Sequence, residues 1–321
     1  MIAAGAEPRY RPVPGWPLMP HGTTFNGDAT SVAVDSQDHV YVFNRGPIPL
    51  IVFDRAGNLV SSWGEGEFDR PHAIAVDDDD AIYVVDTGGH FIQKRTTEGK
   101  TLLTIGERGN PTKFHSGQPF NAPTDVVIHP VTRDIFVSDG YGNSRVHRFD
   151  ADGKHITSWG DPGTENGQFS LPHGIDLVDD DLLVICDREN FRLQFFTTDG
   201  GFVEQQHVHH PSAVRRCHVD GFLFVAELGT PMQHGVPNIG CRVSVRTAEG
   251  DLVGRLGSAL PGFAPDELFA PHGVAVDSHG DVYVAEVSFT YMTGLGLLRR
   301  EAPPGELTSL RKWERIRESG S

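Results

Sequence analysis

The 321-residue chain predicts an all-β fold, a six-bladed β-propeller, on three observations. A Pro-His pair occurs at Pro71-His72, Pro172-His173 and Pro271-His272, and each leads into a short run of strand formers. Fourteen residues after each His stands an acid: Asp86, Asp187 and Glu286. The same two-strand pattern recurs in six places, and a long repeat step marks propellers or solenoids. Glycine (37) and proline (22) are abundant, and Val, Ile, Phe and Thr fall in short runs, which favours strands and tight turns over helices.

Taken in order, residues 1–29 (Pro8, Pro12, Pro14, Pro17, Pro20) read as an extended arm, 30–316 as the propeller and 317–321 as a tail. The first and second strands of the six units are predicted at 31–35 and 40–44, 73–77 and 82–86, 125–128 and 135–139, 174–177 and 183–187, 213–216 and 223–227, and 273–277 and 282–286. Third strands run into turns at Ala56-Gly57, Asp152-Gly153, Asp199-Gly200 and Glu249-Gly250, where glycine supplies the positive φ of a hairpin. Fourth strands end at Trp63-Gly64, Ile105-Gly106, Trp159-Gly160 and Leu256-Gly257. The outer strands of unit six are expected at 297–300 and 310–313. The acidic patches 77–80 and 179–181 read as solvated hairpin tips, lacking the regularly spaced carboxylates and glycine of a calcium loop.

Charge and composition narrow the function. A net charge of -16 without a basic cluster argues against nucleic acid as a partner. Three cysteines without a C-x-x-C pair fit a reducing compartment rather than a disulfide framework. No secretory signal and no bilayer-length apolar run is visible, so a cytoplasmic location with no membrane partner is expected. Nothing in the sequence sets the oligomeric state.

In a propeller the first strand of each blade lines the central channel, so the residue entering it sits at the channel mouth. These residues are Thr30, His72, Thr124, His173, Ser212 and His272. Alternate blades of a six-blade ring are related by about 120°, so three imidazoles from blades two, four and six converge. Three histidines with an open fourth position form the ligand set of a catalytic zinc site, although iron, copper or nickel also suit imidazole. The plainer alternative is that each His only caps a strand end. Arg45, Tyr141 and Arg188, at the ends of second strands, are expected over the same face. An arginine there can hold a carboxylate bidentately, and a tyrosine near a cation can serve as a base. Asp86, Asp139 and Asp187 read as acceptors for turns, and His207-Val208-His209-His210 as an exposed strand end.

The segments Asp139-Gly140-Tyr141-Gly142-Asn143-Ser144-Arg145, Leu171-Pro172-His173 and Asp187-Arg188-Glu189-Asn190 resemble the signature segments of peptidyl-α-hydroxyglycine α-amidating lyase, within the wider NHL-repeat propellers. The resemblance covers residues 30 to 290 and implies a zinc held by His72, His173 and His272. It also implies a catalytic Tyr141, with Arg188 and Arg45 in the active site. The implied reaction cleaves the C–N bond of an N-acyl-α-hydroxyglycine to a primary amide and glyoxylate, so the expected partner is a peptide-like or small carbinolamide. Three positions depart from the family pattern. Ala270 replaces a methionine and Gly142 replaces a cysteine. Gly273 replaces the aspartate of a structural calcium site, which makes calcium doubtful. A monooxygenase domain is absent from these residues, so a substrate other than an amidated hormone is expected. A metal-dependent hydrolase or lactonase on the same scaffold, and a non-catalytic NHL binding platform, are the alternatives.

Overall fold

The computed structural model describes residues 8–19, 25, 28–233, 235–296 and 308–317. The chain opens with β1 (Tyr10–Pro12). Blade one holds β2 (Ala29–Val34), β3 (Val40–Asn44), β4 (Leu50–Phe53) and β5 (Leu59–Trp63). Blade two holds β6 (Pro71–Val76), β7 (Ile82–Asp86), β8 (Phe91–Arg95) and β9 (Thr101–Gly106). Blade three holds β10 (Asp125–Ile128), β11 (Ile135–Asp139), β12 (Arg145–Phe149) and β13 (His155–Trp159). Blade four holds β14 (Pro172–Asp179), β15 (Leu182–Asp187), β16 (Arg192–Thr197) and β17 (Phe202–His207). Blade five holds β18 (Pro211–Arg216), β19 (Leu223–Glu227), β20 (Arg242–Arg246) and β21 (Leu252–Leu256). Blade six holds β22 (Pro271–Val276) and β23 (Val282–Glu286), then the short helix α1 (Ser288–Gly294) and β24 (Leu310–Arg315). These form six four-stranded antiparallel sheets, the predicted architecture.

The ring closes differently from the sequence expectation. The strand at 310–315 is third in blade six, and the outer position is taken by β1, paired Tyr10↔Arg315 through Pro12↔Trp313. Part of the expected arm is thus a sheet strand. The expected strand at 297–300 lies outside the described residues. Joining the first strand to the last satisfies an edge that would otherwise stay open to another chain.

Side-chain size sets the radial order. The innermost strands converge, and they carry glycine or alanine just after each mouth histidine. A Cβ on Gly174 would lie 2.7 Å from Ala213 Cα, and one on Gly273 would lie 2.7 Å from Ser31 Cα. Second strands are buried along their whole length except at Leu182 of β15, while the outer β5 and β17 are mostly exposed. Trp16, Trp63 and Trp159 pack on the glycine turns at Gly57, Gly99 and Gly200. Their indole N–H groups at Trp16 and Trp63 donate to Arg55 and Thr97 carbonyls, each at 3.2 Å. The acidic tip at 77–80 is less solvated than expected: Asp77 is buried, and the Asp80 carboxylate accepts from both the N–H and the hydroxyl of Ser36.

Candidate metal centre

The three mouth histidines meet. His72, His173 and His272 bring one ligand nitrogen each within 4.8 Å of one another, and their ring centroids are 4.7–4.9 Å apart. All three are buried. Their orientation follows a threefold rule built on the intervening blades. The Nδ1–H of His72 donates to the Thr124 carbonyl at 2.6 Å, that of His173 to Ser212 at 2.5 Å, and that of His272 to Thr30 at 2.7 Å. The small hydroxyl residues between the histidine blades therefore act through their backbones. The side chains of two of them brace the next blade, where the Thr124 and Ser212 hydroxyls donate to the Pro172 and Pro271 carbonyls, each at 2.9 Å.

With Nδ1 carrying the proton, each Nε2 presents a lone pair. Burial, then neighbouring histidines and arginines, push the His72 and His173 pKa values well below the ordinary 6.5. Burial, then Arg45, lowers His272 to about 3. Three neutral imidazoles, oriented by carbonyls and lacking any carboxylate among them, fit a borderline divalent metal such as zinc.

Tyr141 lies at this centre. Its hydroxyl is 3.1 Å from His72 Nε2 and 3.2 Å from His173 Nε2, and it is half-exposed toward the mouth. One hydroxyl proton can serve only one of the two nitrogens at a time. The Arg188 guanidinium lies 5.7 Å from the Tyr141 ring centroid. Its Nε donates to Glu189 Oε1 at 2.9 Å, and Glu189 in turn meets His210 Nε2 at 3.2 Å. Burial opposes charge on Arg188, but Tyr141 and Glu189 outweigh it and raise its pKa. Glu189 is lowered to about 2, mainly by His210. Arg45 is half-buried and held by other partners: Nη1 bonds Asp28 Oδ2 and the Thr290 hydroxyl at the start of α1, each at 3.2 Å.

Arg215 and Asp125 line the same small cavity as the triad and form a two-point pair at 3.0 Å, with Arg215 also donating to the Ile175 and Val214 carbonyls. Gly273 offers no carboxylate and no room for one. These residues do not fit a channel calcium.

Sequence comparison agrees with this geometry. The NHL repeat family matches residues 68–94 and 169–196. The chain is 30% identical to human NHL repeat-containing protein 3, over 87% of this chain and 81% of that one. The chain belongs to the NHL-repeat β-propellers. It is also 30% identical to peptidyl-α-hydroxyglycine α-amidating lyase 1 of Drosophila melanogaster, over 82% of this chain and 56% of that protein. The rat peptidylglycine α-amidating monooxygenase matches at 30% over 85% of this chain, which spans 30% of that longer protein. Solved structures of a streptogramin B lyase and of a gluconolactonase from Xanthomonas campestris superpose with TM-scores of 0.60, at 14% identity each. The first covers 90% of this chain and 95% of that one, the second 91% and 89%, and both share the fold. No described helix is long and apolar enough to cross a membrane.

Within this NHL propeller, sequence reasoning missed a second ring, two residues before each mouth position: Asp28, Arg70, Ala122, Leu171, His210 and Ala270. Asp28 holds Arg45, and His210 reaches Arg188 through Glu189. His210 is therefore not the exposed strand end expected. It is 5% exposed, at φ 46°, at the entry to blade five. The register of the repeat carried the signal, but only the mouth residues and the ends of the second strands were read from it. Asp86, Asp139 and Asp187 accept backbone N–H groups from the loops that lead into the first strands, as expected.

Proposed function

We propose that this protein is a metal-dependent carbon–nitrogen lyase acting on N-acyl-α-hydroxyglycine-type carbinolamides, releasing a primary amide and glyoxylate. The observation that carries the reading is the Tyr141 hydroxyl at hydrogen-bond distance from two Nε2 atoms of a buried three-histidine centre. Kinship with amidating lyases at 30% identity supports the reaction class. Three free buried cysteines agree with a reducing, cytoplasmic setting.

His72, His173 and His272 would hold the metal, taken here as zinc, which when bound supplies Lewis acidity toward the substrate's hydroxyl oxygen. Tyr141, as a phenolate, takes the hydroxyl proton. The O–H electron pair becomes the new C=O bond of glyoxylate, the C–N pair moves to nitrogen, and Tyr141 returns the proton there. Arg188, beside Tyr141, favours negative charge on the phenolic oxygen before the proton arrives. Arg45, fixed by Asp28, adds positive potential that favours a carboxylate at the mouth.

The test is glyoxylate release from α-hydroxyhippurate. Release that a chelator abolishes and zinc restores is the expected result. A protein carrying one metal per chain that releases none overturns the lyase reading and favours a metal-dependent hydrolase.

A further inference from the structure

Three arginines surround the mouth, and two already have carboxylate partners. Arg45 and Arg188 have side chains only 14% and 11% exposed, and each has a carboxylate partner, Asp28 and Glu189. A guanidinium whose charge is met inside the protein gains less from an incoming carboxylate than one without a partner. Arg70 is the third. It stands two residues before His72, in the ring whose members at the other histidine blades are the uncharged Leu171 and Ala270.

The Arg70 backbone is fixed and its side chain is free. Its N–H donates to Asp86 Oδ1 at 2.8 Å, and its carbonyl accepts from Thr87 N at 3.2 Å. The side chain is exposed, and among the described residues its guanidinium has no ion pair or hydrogen bond. Neighbouring carboxylates are committed elsewhere: Asp69 to Arg108, Glu67 to Arg95, Asp28 to Arg45 and Asp86 to backbone N–H groups. The field of Arg70 reaches Arg45, where it disfavours a second positive charge.

We propose that Arg70 is the specificity residue that recognises the carboxylate of the substrate, orienting the glycolate end toward blade two. This deepens the lyase reading and rests on it for the identity of the substrate. A bidentate guanidinium–carboxylate contact at this position gives preference for an acidic over a neutral α-hydroxyglycine derivative.

The experiment compares wild type, Arg70→Gln and Arg70→Lys on α-hydroxyhippurate and on its neutral carboxamide, with metal content and thermal midpoint measured for each. Arg70→Gln should raise KM for the carboxylate about 10- to 100-fold, the range of a lost hydrogen-bonded charge pair. KM for the carboxamide should stay within about twofold, since no charged contact is lost there. Arg70→Lys should fall between. Equal changes for both substrates, or none for the carboxylate, overturn the proposal. Binding of hippurate, which lacks the hydroxyl and cannot be cleaved, separates the two readings. If wild type releases no glyoxylate but binds hippurate in an Arg70-dependent way, the lyase reading fails and the carboxylate site stands. Hippurate binding that is absent, or equal in wild type and Arg70→Gln, overturns the carboxylate site.

Discussion

The Thr124 carbonyl oxygen lies 2.6 Å from His72 Nδ1, and this contact fixes which nitrogen of His72 faces the channel mouth. It repeats at Ser212 and His173 and at Thr30 and His272, so the centre is oriented before any metal arrives. The hydroxyl residues of blades one, three and five thus complete the site that the histidines of blades two, four and six begin.

Metal uptake should therefore involve little proton release. The three imidazoles titrate near 6.5 when unfolded and far lower when folded, His272 at about 3. At pH 7 their Nε2 atoms are already unprotonated. Calorimetry of zinc binding in buffers of different ionisation enthalpy should give nearly the same enthalpy; a release of two or three protons per metal contradicts three neutral imidazoles.

The same shifts set the acid stability of the metal-free chain. Between pH 6.5 and about 3 the unfolded state binds more protons than the folded one, so stability rises with pH across that window and is lost on acidification. Denaturant midpoints of metal-free protein should fall from pH 7 to pH 5, and bound zinc should raise the midpoints without flattening that fall. A midpoint independent of pH, with or without zinc, would contradict buried neutral histidines.

Tyr141→Phe should keep one metal per chain and lose turnover by about 10²- to 10⁴-fold, the contribution of a positioned acid–base group. Metal analysis and steady-state rates on the same sample decide this, and undiminished activity assigns the proton transfer to another group.

Glu189 ties Arg188 to His210, and neither Glu189 nor His210 touches the reacting atoms. Glu189→Gln should lower kcat more than it raises KM, by about tenfold, because a misplaced guanidinium no longer supports charge on Tyr141. Glu189→Asp should restore part of the rate. A change in thermal midpoint alone, with kcat intact, would make the pair merely structural.

Crowding at the axis predicts a stability effect. Gly174→Ala places a Cβ 2.7 Å from Ala213 Cα and should cost about 1–3 kcal/mol through overpacking. Denaturant unfolding measures it, and an unchanged midpoint would mean that the inner strands can separate without cost.

The ring of blades and the triad were legible because both are periodic. A step that repeats in sequence becomes a rotation in space, so His72, His173 and His272 fall on alternate blades without any contact being known. The closing strand was not legible: Tyr10–Pro12 is three residues long, proline-bearing and remote from β24 in sequence. The roles of Asp28, Glu189 and His210 were hidden for a related reason. Each depends on which neighbour a side chain meets across a turn, and in sequence His210 sits among histidines that point elsewhere. The Arg215–Asp125 pair joins positions 90 residues apart and has no repeat to announce it.

The most direct measurement is a product balance for the zinc-loaded chain on α-hydroxyhippurate. The account predicts benzamide and glyoxylate in equal amounts, with formation lost when His173 is replaced by alanine. Metal-loaded wild type that yields neither product, or a His173→Ala protein as active as wild type, would contradict it.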